Sequence, residues 1–401
     1  MAVVVEGRDP WSGRSLRVTV AGGRIESIES VDRALDLWLA PGLVDLQVNG
    51  FAGHDLNAGD LDPSEVVELV RSLAQVGVTT FAPTIITAPE QQIIAALRVV
   101  AAARAADPMV ARAIPFVHLE GPFLSAEDGP RGAHVIDHIR QADLAELERW
   151  QAACDGLVGM VTLSPHSPEA VGFVAEAGRR GVRCAIGHTH ATPEQILHAV
   201  DAGAGYSTHL GNGAHATLPR HPNYIWSQLA EDRLTAGFIA DGHHLPAETF
   251  RAMLRAKGRA RAFLVSDATA LAGMAPGRYR TAVGGEVELS EDGRLSLVGT
   301  PFLAGAARSL PDGVACAVDM AGLTLAAALE LASGNPGRIV GDRGVLRPGS
   351  PADLILFRWA PGMATLHIEL VVASGIPVYE GADRSTEPRP ATTRTDAVRK
   401  I

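Results

Sequence analysis

Eight short apolar runs, separated by alanine-rich stretches with helix-type ends, are the strongest constraint on how this 401-residue chain can fold. The runs are LVDLQV (43–48), VTTFA (78–82), IPFVHL (114–119), LVGMVTL (157–163), VRCAIG (182–187), GYST (205–208), TAGFIA (235–240) and AFLVS (262–266). Segments between them, such as PSEVVELVRSLAQVG and TPEQILHAVDAG, open with cap-type Ser, Thr or Pro and close at Gly, as helices do. Eight β-then-α units in succession predict a (β/α)8 barrel. A doubly wound sheet is the alternative, but no glycine-rich phosphate loop follows an early strand.

The two chain ends differ from this middle. Residues 1–40 alternate apolar and polar positions (Leu16, Val18 and Val20 against Arg17 and Thr19), with turn signals at Asp9-Pro10 and Gly22-Gly23. A similar pattern returns after Gly349 in PADLILF and HIELVVASGIPVYEG. The ends are therefore expected to pair into a small β-domain, a β-sandwich over 1–40 and 345–383, around a barrel over 41–344. A polar tail, 384–401, is expected to be disordered. The stretch 278–303 reads as a hairpin inserted after the eighth strand.

Composition narrows the function classes. With 47% hydrophobic residues the chain can bury a large core, and no apolar run approaches the roughly 20 residues of a membrane-spanning helix. The N-terminus lacks the charged and apolar regions of a signal peptide, so a soluble, cytoplasmic protein is expected. A formal net charge of −10 disfavours nucleic acid and anionic membranes as partners. Cys154, Cys184 and Cys316 form no CxxC pair, which excludes a thiolate zinc site.

The polar residues fall at strand ends. Glu120 closes HLE, His188 closes AIGH, His209 closes STH, Asp241 closes IAD and Asp267 closes VSD. In a parallel barrel these five positions converge at the C-terminal mouth, where active sites of this fold lie. One such residue alone reads as a helix cap or loop residue; five together point to chemistry. Two imidazoles and a carboxylate make a three-ligand set for Zn2+ or a similar divalent ion, with a position left for water. Asp267 would then be the acid/base that exchanges a proton with that water.

HLEGPF (118–123), GHTHAT (187–192), THLGNGAH (208–215), IADGHH (239–244) and VSDAT (265–269) together resemble the ordered motifs of the N-acetylglucosamine-6-phosphate deacetylases of the amidohydrolase superfamily. The likeness runs from LAPGLVDLQVNG to NPGRIVGDRGVLRPGSPADLILF. Where the superfamily usually carries His-X-His, this chain has Gln47-Val48-Asn49, and neither of its two lysines, Lys257 and Lys400, ends a barrel strand to bridge two metals. The resemblance thus implies the mononuclear branch: one divalent ion per chain on Glu120, His188 and His209, with Zn2+ first and Fe2+, Co2+ or Mn2+ as alternatives. It also implies a catalytic His134 near the scissile amide, and substrate contacts from Gln47, Asn212, Gly213, His244 and Arg220. Arg220 would meet a phosphate across a homodimer interface. His243 replaces an apolar family residue, and His215 and His221 are additions without an assigned role.

The function expected on these grounds is hydrolysis of the acetamide of N-acetylglucosamine 6-phosphate. Deacetylation of another N-acetyl amino sugar, phosphorylated or not, or of a small amide is the alternative. A cyclic-amide hydrolase would want the missing His-X-His and strand-end lysine. A non-catalytic scaffold would have lost some of Glu120, His188, His209 and Asp267.

Overall fold

In the computed structural model, which describes residues 3–281, 285–341 and 343–381 and the backbone of 399–400, the eight apolar runs form one parallel sheet in sequential order. Its strands are β1 (Leu43–Val48), β2 (Val78–Ile86), β3 (Val117–Glu120), β4 (Val158–Leu163), β5 (Arg183–Ile186), β6 (Tyr206–Ser207), β7 (Thr235–Ile239) and β8 (Ala262–Val265). Each pairs in parallel with the next. Val44, Leu46, Ala82, Phe116, Met160, Ile239 and Phe263 pack together as one core cluster within the ring. A larger apolar layer joins the strands to the surrounding helices.

The helices carry the ends that the sequence advertises. Pro63–Gln75 begins with a capping box between Asp62 and Glu65 and buries Val66, Leu69, Val70 and Leu73 at three- and four-residue spacing. Pro193–Asp201 begins with the same device between Thr192 and Gln195.

The ring closes between β1 and β8 through a seam. The Asp267 N–H donates to the Gln47 carbonyl at 3.0 Å and the Asn49 N–H to the Ala268 carbonyl at 2.8 Å. Below them the buried Asp45 carboxylate accepts the Ser266 N–H at 3.1 and 3.3 Å and the Gln47 N–H at 3.3 Å. A side chain thus substitutes for ladder bonds between these two strands.

Both chain ends contribute to a seven-stranded sheet, in the order Ile376–Glu380, His367–Ala373, Leu354–Arg358, Trp38–Pro41, Val3–Arg8, Ser15–Ala21, Arg24–Ser30. It curls until Ile25 N–H meets the Ser350 carbonyl and Ala352 N–H the Gly23 carbonyl, both at 3.0 Å, around Val5, Val18, Val20, Ile25, Leu39, Leu354 and Val372. The insertion after β8 is larger than a hairpin: Gly277–Thr281, Gly285–Leu289 and Leu295–Leu297 form an antiparallel meander with its own apolar cluster. The expected disordered tail, 384–401, lies outside the described residues except for Arg399–Lys400, which pairs with Gly277–Thr281. Among the described residues no helix is long and apolar enough to cross a membrane.

Burial pushes the Asp45 carboxyl up to about 7 from 3.8, against the bonds from Ser266 that favour its charge. The folded state therefore holds this proton more tightly than the unfolded chain. The stability it contributes is complete below about pH 4 and lost as pH rises through about 7. In thermal melts, Asp45→Asn, which does not titrate, should lack this component, so the wild-type advantage over it shrinks from pH 4 to pH 7.5. Asp45→Ala should cost about 1–3 kcal/mol by stranding the Ser266 N–H.

Candidate metal centre and active site

Glu120 ends β3, and His188, His209, Asp241 and Asp267 each lie two residues past the ends of β5, β6, β7 and β8. His188, His209 and Asp267 have left-handed φ values of 48°, 25° and 51°. Such a backbone is costly for residues other than glycine, and three instances in one ring of strand ends mark a functional site.

The turns bring the three expected ligands together. Glu120 Oε1 lies 3.1 Å from His188 Nε2 and 2.8 Å from His209 Nε2, and the two imidazole nitrogens are 3.1 Å apart. His188 Nδ1 faces the Pro130 carbonyl at 2.7 Å and must donate to it, which turns Nε2 toward the cluster. All three side chains are buried, at 3–7% exposure. Burial opposes the charge on Glu120, but His188 and His209 beside it hold its carboxyl well below the usual range. Acceptors crowded this closely in a buried place fit a shared divalent cation, and two imidazoles with one carboxylate are a zinc-type donor set.

His134 joins the group. Its Nε2 is 3.3 Å from His188 Nε2, and its ligating nitrogen, that of His188 and a Glu120 oxygen lie within 4.8 Å of one another. Burial, reinforced by the neighbouring His188, pushes its pKa down to about 3, so the ring is neutral. Among the described residues His134 Nδ1 is buried without a partner.

Asp267 is held by Asn49, whose Nδ2 donates to Oδ1 at 2.7 Å. Burial and then the Glu120 charge raise its carboxyl to about 6. Asp241 behaves differently. Although burial opposes its charge, the His244 ring at 2.7 Å and the N–H groups of His243 and His244 at 2.8 and 2.9 Å hold its carboxyl well below the ordinary range. Asp241 is thus occupied in orienting His244, whereas the Asp267 carboxyl is left closer to neutral pH.

Under the centre runs a chain of buried polar groups. His118 Nδ1 donates to the Leu46 carbonyl at 3.3 Å, so Nε2 accepts the Thr162 hydroxyl at 2.7 Å. The Thr162 oxygen in turn accepts the Thr208 hydroxyl at 2.6 Å.

Above the centre opens a cavity of about 550 Å3, bordered by His134, Asn212, Gly213, His244, Asp267 and Arg294 among others. Of the expected substrate contacts, Asn212, Gly213 and His244 border it. Gln47 does not: it borders a small internal void with His118 and His209, and its Nε2 has no partner. Arg220 is exposed on the loop after β6, outside the cavity. His215 bonds Tyr224 and Glu127 instead of the centre. Lining residues missed in the sequence include Asp55, Asn57, Arg294 and Phe302. The first two follow β1 closely enough to be sought at the mouth, whereas the last two arrive on the insertion, which no strand-end rule reaches.

A Cβ on Gly213, where φ is +55°, would lie 2.6 Å from His188 Nδ1. Gly213→Ala should therefore displace that ring and weaken metal affinity about 10- to 100-fold, the usual effect of disturbing a ligand's support. Chelator competition against Gly172→Ala, where an added Cβ meets nothing within 4 Å, would measure it.

The amidohydrolase family model matches residues 38–378. N-acetylgalactosamine-6-phosphate deacetylase of Escherichia coli O157:H7 is 32% identical over 348 residues, spanning 84% of this chain and 89% of that one. N-acetylglucosamine-6-phosphate deacetylase of Danio rerio is 33% identical over 335 residues, spanning 79% and 80%. Among solved structures, a mutant N-acetyl-D-glucosamine-6-phosphate deacetylase from Mycobacterium smegmatis in complex with N-acetyl-D-glucosamine-6-phosphate superposes with a TM-score of 0.80 at 28% identity, over 91% of this chain and 95% of that one. With barrel, strand-end ligands and family match in agreement, the chain belongs to the amidohydrolase family.

Proposed function

We propose that this protein hydrolyses the acetamide of N-acetylglucosamine 6-phosphate, giving glucosamine 6-phosphate and acetate. The observation that carries the reading is the Asp267 carboxyl, held by Asn49 beside the Glu120–His188–His209 cluster at the floor of a sugar-sized cavity. Relatives named for this reaction span most of the chain. The galactosamine epimer is the second reading, favoured by the E. coli relative.

Glu120, His188 and His209 would hold one divalent ion, Zn2+ in this reading, which would supply Lewis acidity and lower the pKa of a nearby water. Asp267 accepts the proton as the water oxygen bonds to the acetyl carbon. His134, neutral and buried, donates an N–H to the carbonyl oxygen as negative charge grows there. Asp267 then delivers its proton to the amide nitrogen, and the C–N bond breaks with the electron pair leaving on the amine. A single carboxyl near pKa 6 suits both directions of transfer. Asn212, Gly213 and His244 hold the sugar. The reading also makes the protein a cytoplasmic homodimer in which Arg220, exposed outside its own cavity, reaches the mouth of a second copy. Light scattering that returns a monomer would remove that part.

Asp267→Asn should keep the fold and the metal while kcat falls about 10²–10⁴-fold. Because the proton acceptor must be ionised, wild-type kcat/KM should fall as pH drops through about 6, and this acid limb should be missing from the residual activity of the variant. Near-normal turnover by Asp267→Asn would place the acid/base elsewhere. Elemental analysis of metal-loaded protein should return one tight ion per chain; two would contradict the mononuclear reading. Kinetics on the two 6-phosphorylated epimers and on the plain sugars test the substrate.

A further inference from the structure

The insertion after β8 does more than decorate the barrel. Thr281, Arg294, Leu295, Pro301, Phe302 and Leu303 all border the active-site cavity, so the meander and the loop after it form one wall. Among the described residues that border it, Arg294 is the single arginine or lysine, alongside three carboxyl groups, Asp55, Glu120 and Asp267. Its Nη2 donates to the Pro301 carbonyl at 2.6 Å, and among the described residues it forms no ion pair with a carboxylate. An arginine that faces a cavity with no carboxylate partner of its own is suited to a ligand's oxyanion, whose oxygens match the guanidinium fork.

The turn that carries Arg294 is tied to the barrel. The Asp292 carbonyl accepts His243 Nε2 at 3.1 Å, Arg308 Nε at 3.1 Å and Arg308 Nη2 at 2.7 Å. Inside the turn, Gly293 N–H donates to the Ser290 carbonyl at 3.1 Å, and the Arg294 N–H to Ser290 Oγ at 3.1 Å. His243 follows Asp241 on the loop after β7, so the same loop that presents His244 to the cavity also pins the insertion's turn. This gives a role to a histidine for which the family resemblance supplied none.

We infer that Arg294 is a specificity-determining residue which binds the phosphate of the substrate from within the same chain, on a turn positioned by His243 and Arg308. The inference rests on the reading of the substrate as a 6-phosphorylated N-acetyl hexosamine. The net charge of −10 and the three carboxyl groups bordering the cavity repel a phosphate dianion, and Arg294 is the fixed positive charge that offsets them there.

The test uses the metal-loaded enzyme and two variants. Arg294→Gln keeps a donor for the Pro301 carbonyl and loses the charge; Arg294→Lys keeps the charge and loses the fork. The ratio of kcat/KM on N-acetylglucosamine 6-phosphate to that on plain N-acetylglucosamine should fall on the order of 10- to 100-fold in Arg294→Gln, with KM carrying most of the change, and fall less in Arg294→Lys. Calorimetric titration with inorganic phosphate should show binding to wild type weakened to the same degree in Arg294→Gln. A wild-type ratio and unchanged phosphate binding in Arg294→Gln would overturn the inference. Wild type with no preference for the phosphorylated sugar would overturn the substrate reading instead, and the phosphate titration would still decide whether Arg294 forms an anion site.

Discussion

The seam between β1 and β8 is the interaction on which the rest depends. Without it the sheet would remain open, and Asp267 and Asn49 would stand at opposite edges. The seam's Asp267 N–H to Gln47 carbonyl bond puts them side by side, and Asn49 then reaches the Asp267 carboxylate at 2.7 Å. Barrel closure and orientation of the Asp267 carboxyl are therefore one event, stabilised from below by Asp45. A buried carboxylate accepting backbone N–H groups here is a structural bond as much as a polar side chain.

The site divides its labour by environment. Five strand-end residues look interchangeable in the chain, yet their surroundings separate them. Glu120 is held ionised by two imidazoles, Asp241 by His244 and two backbone N–H groups, and Asp267, with burial and a neighbouring negative charge against it, keeps a proton within reach of neutral pH. Different pKa values on chemically similar groups are how one pocket acquires both a ligand and a proton carrier.

Much of this was legible before the structure. Strand periodicity and cap residues located the barrel, because both are local and short-range. Strand-end acids and histidines located the centre, because a parallel barrel sends all its strand ends to one mouth. What was not legible depends on contacts between distant segments. Arg294 sits in an insertion whose docking is decided by bonds to His243 and Arg308, and no periodicity in residues 278–303 reports them. Gln47, which the resemblance made a substrate contact, borders an internal void instead, in the stretch where β1 shifts register against β2. Asp45 reads in LVDLQV as one polar residue in an apolar strand; only the meeting of the first and last strands gives it a partner.

The chain from His118 through Thr162 to Thr208 has a consequence for the charges above it. Burial pushes the His118 pKa down to about 4, so this layer is neutral, and the carbonyl of Leu46 fixes the direction of every hydroxyl in it. An uncharged His118 places no second cation beneath Glu120, so that carboxylate stays available to whatever positive charge the mouth above receives.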